Sequence, residues 1–303
     1  MSLQDVPDLP VTTPSLRFFQ DDEKFQSEKP YHFSGPLEAH EESRRTNLVL
    51  ATRENVPIRD IRECVSRPRL HNHGFQFEHF PSSFMDGLHE SNVFKSYIEE
   101  VAHFVKNMEK AEAVICYDYR FRKSTSSPGS KVIGAGGSFD SPNEPAWQVH
   151  IDLSRDAGPK RLRYQLRKPE HEKYLNEHWR IRIINVWRPL KHVVRDAPLA
   201  FCDFTSVDAA DLIATDRPSR EYVGEVYYVR YNSAQRWYWL SEQTPDELSL
   251  FMSYDSDPGE NGAALCPHSA FQLQGVQPPV ERRESLEVRL IVITSKAAPI
   301  ATS

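Results

Sequence analysis

The sequence predicts a mainly β fold with peripheral helices, of the sandwich or jelly-roll kind. Three observations carry this expectation. Apolar residues alternate with a period of two over about eight segments beyond residue 112. The chain holds 22 Pro against 12 Gly, with 16 Phe, 12 Tyr and 5 Trp, a mixture that suits strands joined by stiff connections. No GxGxxG or Walker loop accompanies a strand–helix repeat, so a βαβ sheet is disfavoured.

Taken in order, residues 1–45 are polar, proline-containing and weakly patterned, and read as an extended arm. Residues 46–52 (TNLVLAT) read as a strand. The segment Ser91–Met108 places Phe94, Tyr97, Ile98, Val101, Phe104, Val105 and Met108 at three- and four-residue steps, which predicts an amphipathic helix with Ser91 as its N-cap. Residues 113–122, 147–151, 180–187, 199–203, 222–231, 235–240, 249–254 and 286–294 read as strands. Short helices are expected at 169–179 and from Pro245, where Thr244 and Glu247 match a capping box. Gly134 to Gly137 lacks the Lys-Ser/Thr of a phosphate loop and reads as a turn. The chain is therefore expected to be a single domain, 1–303, with 1–45 the arm and 46–303 the core plus helices.

Composition removes several function classes. With 303 residues, 39% hydrophobic and 26% charged, the chain is neither disordered nor membrane-spanning by composition, and no apolar run nears the ~20 residues a membrane helix needs. A net charge of −6 disfavours non-specific nucleic-acid binding. The start MSLQDVPDLPVTTP has acids and prolines where a signal peptide is basic and apolar. Cys64, Cys116, Cys202 and Cys266 are scattered without a CxxC pair, so neither a zinc site nor a disulfide framework is expected. The cytoplasm is the simplest location.

The segment WQVHID ends with His150 and Asp152, two residues apart and so on one face of a strand. An imidazole and a carboxylate so placed can share one ion, and His268, opening another strand, can supply a third ligand. Two His and one carboxylate with open positions form the site type of non-haem Fe(II) oxygenases. H-x-D alone is weak in a chain with 12 His. Arg283 and Ser285 strengthen it, because they follow His268 and share a strand face. A guanidinium grips a carboxylate bidentately and a nearby hydroxyl adds a bond, as the distal carboxylate of 2-oxoglutarate requires. His71, His73 and His79 lack a firm carboxylate partner and read as surface or substrate-lining residues.

With these residues in place, the chain resembles a known family over most of its length. The segments YDYRFRKS (117–124), VHIDLS (149–154), INVWRPL (184–190), PLAFCD (198–203), RWYW (236–239), DELSLFMSYDS (246–256), PHSAF (267–271) and RESLEVR (283–289) are similar to the fungal AsaB-like and gibberellin desaturase-like hydroxylase/desaturases, which are related to a component of the bacterial cephem methoxylase. The resemblance implies a double-stranded β-helix core of jelly-roll or cupin type. It implies an Fe(II)/2-oxoglutarate-dependent oxygenase that uses O2 to hydroxylate or desaturate a small-molecule secondary metabolite. His150, Asp152 and His268 would ligate iron, and Arg283 with Ser285 would hold 2-oxoglutarate. Two positions depart from the pattern: Gln235 stands where a His often precedes RWYW, and Met252 where a Lys is usual.

Other residues have roles open to two readings. Asn185 could bond the metal-proximal carboxylate of 2-oxoglutarate or be structural. Arg188 could meet a substrate acid or pair with Asp203. Arg122 could reach the pocket or end a solvated strand. Ser154 could orient Asp152, while Trp237, Tyr238 and Trp239 are expected to pack the sandwich. Two alternative functions stay open at this level: a metal-dependent dehydratase, isomerase or dioxygenase without 2-oxoglutarate, and a non-catalytic small-molecule-binding jelly roll.

Overall fold

A computed structural model describes residues 9–125, 138–275 and 281–296. Gly134 to Gly137 lies outside them. The described chain forms strands β1 (Val11–Thr12), β2 (Leu16–Phe19), β3 (Leu50–Arg53) and β4 (Ile58–Asp60), then helix α1 (Leu70–His73), strand β5 (Phe75–His79), helix α2 (Ser91–Met108) and strands β6 (Ala113–Lys123) and β7 (His150–Ile151). Helices α3 (Ala157–Gln165) and α4 (Lys168–Tyr174) follow. The rest is β8 (Trp179–Pro189), β9 (Leu199–Cys202), β10 (Leu212–Pro218), β11 (Val223–Val229), β12 (Trp237–Trp239), β13 (Glu247–Asp255), β14 (His268–Ala270) and β15 (Glu284–Ser295).

Two sheets make the jelly roll. One has eight strands in the order β1-β4-β12-β9-β14-β7-β11-β10, and the other five in the order β5-β13-β8-β15-β6. Between them pack Phe75, Trp187 and Phe251 from the smaller sheet and Phe201, Tyr238 and Ala270 from the larger. Strand alternation sends Trp237 and Trp239 to the opposite face, where they meet Leu16 and Phe18 of the N-terminal segment. Helix α2 covers the outer face of the five-stranded sheet, burying Tyr97, Val101 and Val105 against Ile184, Val186, Leu286 and Val288. The stripe read from the sequence is therefore the buried one, although the cap position falls on Glu90, one residue before Ser91.

Three local expectations change. The expected strand at 46–52 is confined to Leu50–Arg53, and that at 147–151 to its last two residues. The helix expected from Pro245 does not form. The Thr244 amide donates to Glu247 Oε2 at 2.9 Å and the Glu247 amide to the Thr244 carbonyl at 3.0 Å, but these bonds close a turn. From Glu247 onward the backbone is taken by β5 and β8 on either side, and ladder pairing overrides the local helix signal. Helix α3 was not foreseen. It requires Gly158, because a Cβ there would lie 2.2 Å from the Tyr254 ring.

A buried ion cluster ties α1 and α2 to β8. Glu109, just past α2, receives His71 Nε2 at 2.9 Å and the Arg182 guanidinium. Burial pushes the Glu109 carboxyl up, but His71 and Arg182 outweigh it and hold it below the ordinary value. A depressed carboxylate contributes stability above its unfolded value, about 4.3, and that stability is lost as pH falls through the folded value. Glu109→Gln is expected to cost about 3 kcal/mol at neutral pH and to flatten the acid limb of stability against pH. Urea unfolding across pH checks both.

Candidate active site

The H-x-D segment and the distal His meet on the inner face of the large sheet. His268 on β14 pairs directly with His150 on β7, so the two imidazoles leave neighbouring strands side by side, with ring centroids 4.4 Å apart. Asp152 follows two residues after His150 on the same face. Its carboxylate oxygens lie 3.9 Å from His150 Nε2 and 3.9 Å from His268 Nε2. One ligand atom from each residue lies within 4.8 Å of the others, the one such cluster of His, Cys, Asp and Glu among the described residues.

Hydrogen bonding aims these atoms. His150 Nδ1 lies 2.8 Å from the Gln148 carbonyl, and His268 Nδ1 lies 3.0 Å from the Cys266 carbonyl. A carbonyl accepts only from Nδ1–H, so the Nε2 lone pairs face the common centre. Burial, with His268 beside it, pushes the His150 imidazole down to about 3, against the pull of Asp152. Burial pushes the Asp152 carboxyl up, but Arg289, His268 and His150 outweigh it and hold it below the usual carboxylate range. At neutral pH the site thus offers a neutral imidazole at His150 and an anionic carboxylate at Asp152.

The facing sheet supplies the supports. Asn185 Nδ2 on β8 donates to Asp152 Oδ2 and lies 3.5 Å from Glu287 Oε1. Both amide hydrogens are thereby directed at carboxylates, and the free atom, Oδ1, is an acceptor. In the structure Asn185 serves the Asp152 carboxylate. Arg289 donates from Nη2 to Asp152 Oδ1 at 2.8 Å and from Nε to Glu287 Oε1 at 2.8 Å. Sequence reasoning missed Glu287 and Arg289. Their signal is the polar alternation Ser285, Glu287, Arg289 on a strand whose other face is Leu286, Val288 and Leu290.

Arg283 and Ser285 are deeply buried, Arg283 at 3% exposure. Arg283 Nη1 donates to the Ala197 carbonyl at 2.5 Å, while Nε and Nη2 are buried without a partner, as are Ser285 Oγ and Trp187 Nε1. No carboxylate lies within 4 Å of the Arg283 guanidinium among the described residues. Burial, then the nearby Arg122, pushes this guanidinium down to about 9. Unmet buried donors and a buried cation are costly, so the pair fits an anionic carboxylate that brings acceptors.

A cavity of about 600 Å³ opens onto His150, Asp152, Arg122 and Arg289. Arg122 reaches it because β6 changes phase: Arg289 of β15 pairs with Asp118 but Leu290 with Cys116, so Tyr117 is an extra residue. Beyond this bulge Asp118, Arg120 and Arg122 share the inner face, where Arg122 Nη1 donates to the Glu144 carbonyl at 2.9 Å.

Arg188 does not reach the site, and its expected substrate role is corrected. It alternates with Trp187 and points to the outer face, donating to the Phe80 carbonyl at 2.6 Å and lying 5.4 Å from the Tyr97 ring. Asp203 pairs with Arg236. Ser154 bonds Glu225 and the Ala157 amide rather than Asp152. His71 joins the Glu109 cluster, and His73 Nδ1 accepts from the Arg69 amide. Gln235 donates to the Arg230 carbonyl at 2.8 Å, and Met252 packs under α2, so neither departure from the family pattern lines the cavity.

A two-sheet jelly roll holding two imidazoles and a carboxylate around one point defines the site type of the non-haem iron oxygenases. The chain belongs to the fungal hydroxylase/desaturase and alpha-ketoglutarate-dependent dioxygenase family. Residues 16–293 match the protein family described as Oxidoreductase/YMDC permease-like domain. The alpha-ketoglutarate-dependent dioxygenase tstK of Talaromyces stipitatus is 32% identical, over 82% of this chain and 86% of that protein. The hydroxylase/desaturase efuI of Hormonema carpetanum is 29% identical, over 78% of this chain and 82% of its own. Among solved structures, the iron and alpha-ketoglutarate-dependent endoperoxidase NvfI superposes with a TM-score of 0.77 at 25% identity, covering 94% of this chain and 99% of that one.

Proposed function

We propose that this chain is an Fe(II)/2-oxoglutarate-dependent oxygenase that hydroxylates or desaturates a small-molecule secondary metabolite. The observation that carries it is the pairing of the triad with a buried guanidinium whose Nε and Nη2 lack acceptors. His150, Asp152 and His268 would hold iron through Nε2, a carboxylate oxygen and Nε2. Arg283 and Ser285 would take the distal carboxylate of 2-oxoglutarate through Nε, Nη2 and Oγ. When bound, iron with 2-oxoglutarate and O2 supplies an oxidant able to take a hydrogen atom from an unactivated carbon.

The protein's part is positional. Asn185 and Arg289 fix the Asp152 carboxylate between them. The two carbonyl-tethered imidazoles cannot rotate without losing a hydrogen bond. The sandwich excludes water from the Arg283 end, where the ion pair with the cosubstrate gains strength from low dielectric. We read the chain as one domain, with its 1–45 arm contributing Arg17, His32 and Ser34 to the cavity wall. Among the described residues no helix is long and apolar enough to cross a membrane. We place the enzyme in the cytoplasm, where its four free cysteines stay reduced.

Anaerobic addition of Fe(II) and 2-oxoglutarate tests this reading. A weak visible charge-transfer band that needs both is expected. Metal binding without the band would favour an enzyme that does not use 2-oxoglutarate, and no metal binding would leave only a binding protein.

A further inference from the structure

A second cationic cluster lies in the same cavity, away from the triad. On β11, Tyr228 pairs with His150, so Tyr228 and Gly224, four residues apart, share the inner face with the triad. Arg217 on β10 pairs with Gly224 and therefore points the same way, two strands and roughly 10 Å across the sheet from β7. Gly224 leaves a notch that the Arg161 guanidinium from α3 enters: a Cβ there would lie 3.4 Å from Arg161 Nη2. Arg161 stacks 4.3 Å over the Tyr222 ring, and the Tyr222 hydroxyl is buried without a hydrogen-bond partner. Arg217 Nη1 lies 3.4 Å from the Tyr228 hydroxyl.

The charge of this cluster is not balanced by the protein. Among the described residues no carboxylate lies within 4 Å of Arg161 or Arg217, whereas Arg120 and Arg289 on this inner face pair with Asp118 and Asp152, and Arg122 donates to the Glu144 carbonyl. Of the four lining acids, Asp152 is taken by Arg289 and Glu225 by Lys29 and Ser154, while among the described residues neither Glu144 nor Glu221 forms an ion pair with Arg161 or Arg217. His32 on the same wall is pushed down to about 3 by burial, then by Arg217 and Arg45, so its imidazole adds no charge at neutral pH.

We propose that Arg161 and Arg217, with the Tyr222 hydroxyl, bind a carboxylate of the substrate, so that the compound oxidised is an organic acid anchored by that group. Two guanidinium forks and a hydroxyl match a planar carboxylate. An anchor two strands across the sheet from β7 leaves room for the carbon skeleton between anchor and iron. The proposal rests on the oxygenase reading above.

The test uses the enzyme with Fe(II) and saturating 2-oxoglutarate under anaerobic conditions, which occupies Arg283. 2-Naphthoate and its methyl ester are titrated by fluorescence, while the charge-transfer band is followed in the same cuvette. The acid is expected to bind at least about ten-fold more tightly than the ester, and to lose about that factor in Arg217→Gln and in Tyr222→Phe while the ester does not. Tyr222→Phe removes only a hydroxyl with no partner in the protein, so folding is not at issue. Equal binding of acid and ester, or binding unchanged in both variants, would overturn the anchor with the band still present. Bleaching of the band by the acid would place it at Arg283 and also overturn the anchor. A band that never forms contradicts the oxygenase reading itself.

Discussion

Asp152→Ala is expected to abolish turnover and to weaken Fe(II) binding by more than the roughly 10–100-fold that loss of a mere supporting partner costs. The carboxylate is the only anion among the three ligand side chains and so the only one that offsets the charge of the ion. Its removal also leaves the Arg289 guanidinium without its 2.8 Å acceptor at the centre of the site, adding a second cation near the metal position. Asp152→Asn separates the two effects: it keeps the shape and one acceptor, and is still expected to bind iron poorly because the charge is gone. Equilibrium iron titration with a circular-dichroism check of folding measures both variants. Wild-type affinity in either would remove Asp152 from the ligand set.

Arg283→Met should raise the 2-oxoglutarate requirement by on the order of 100-fold, the equivalent of about 3 kcal/mol for a charge-assisted bidentate contact. The same change should leave the apoprotein as stable as wild type or more so. In the free protein the guanidinium is buried with two unmet nitrogens and no carboxylate, so the native state bears a desolvation cost that methionine removes. Saturating 2-oxoglutarate should therefore raise the melting temperature of the wild type and not that of the variant. A residue with only a packing role gives the reverse pattern: a destabilised apoprotein with an unchanged cosubstrate requirement.

These expectations rest on features that differ in how far the sequence discloses them. The triad was legible because H-x-D on a strand has one geometric meaning, both side chains on one face, and because His268 opens a short strand of its own. Helix α2 was legible because one face alone is buried, which is what a three-and-four spacing encodes. Arg188 was not, since β8 is buried on both faces from Ile181 to Pro189 and alternation cannot say which face looks inward. Asn185 was placed on the correct face but its contact with Asp152 was not foreseen, because that contact is made across the sandwich from the opposite sheet. The route of Arg122 into the cavity depends on the bulge at Tyr117, which leaves no mark in the pattern of AVICYDYRFR. The Thr244–Glu247 pair shows the converse: one of the two capping-box hydrogen bonds forms, from the Thr244 amide to Glu247 Oε2, yet strand partners on both sides decide the element that follows.

The central claim is that His150, Asp152 and His268 converge on one iron ion. Anomalous X-ray diffraction at the iron edge, from crystals grown anaerobically with Fe(II) and 2-oxoglutarate, tests it most directly. The account predicts a single peak within bonding distance of both Nε2 atoms and one Asp152 oxygen, with the far end of 2-oxoglutarate on Arg283. Iron bound elsewhere, or a peak that lacks His268, would contradict it.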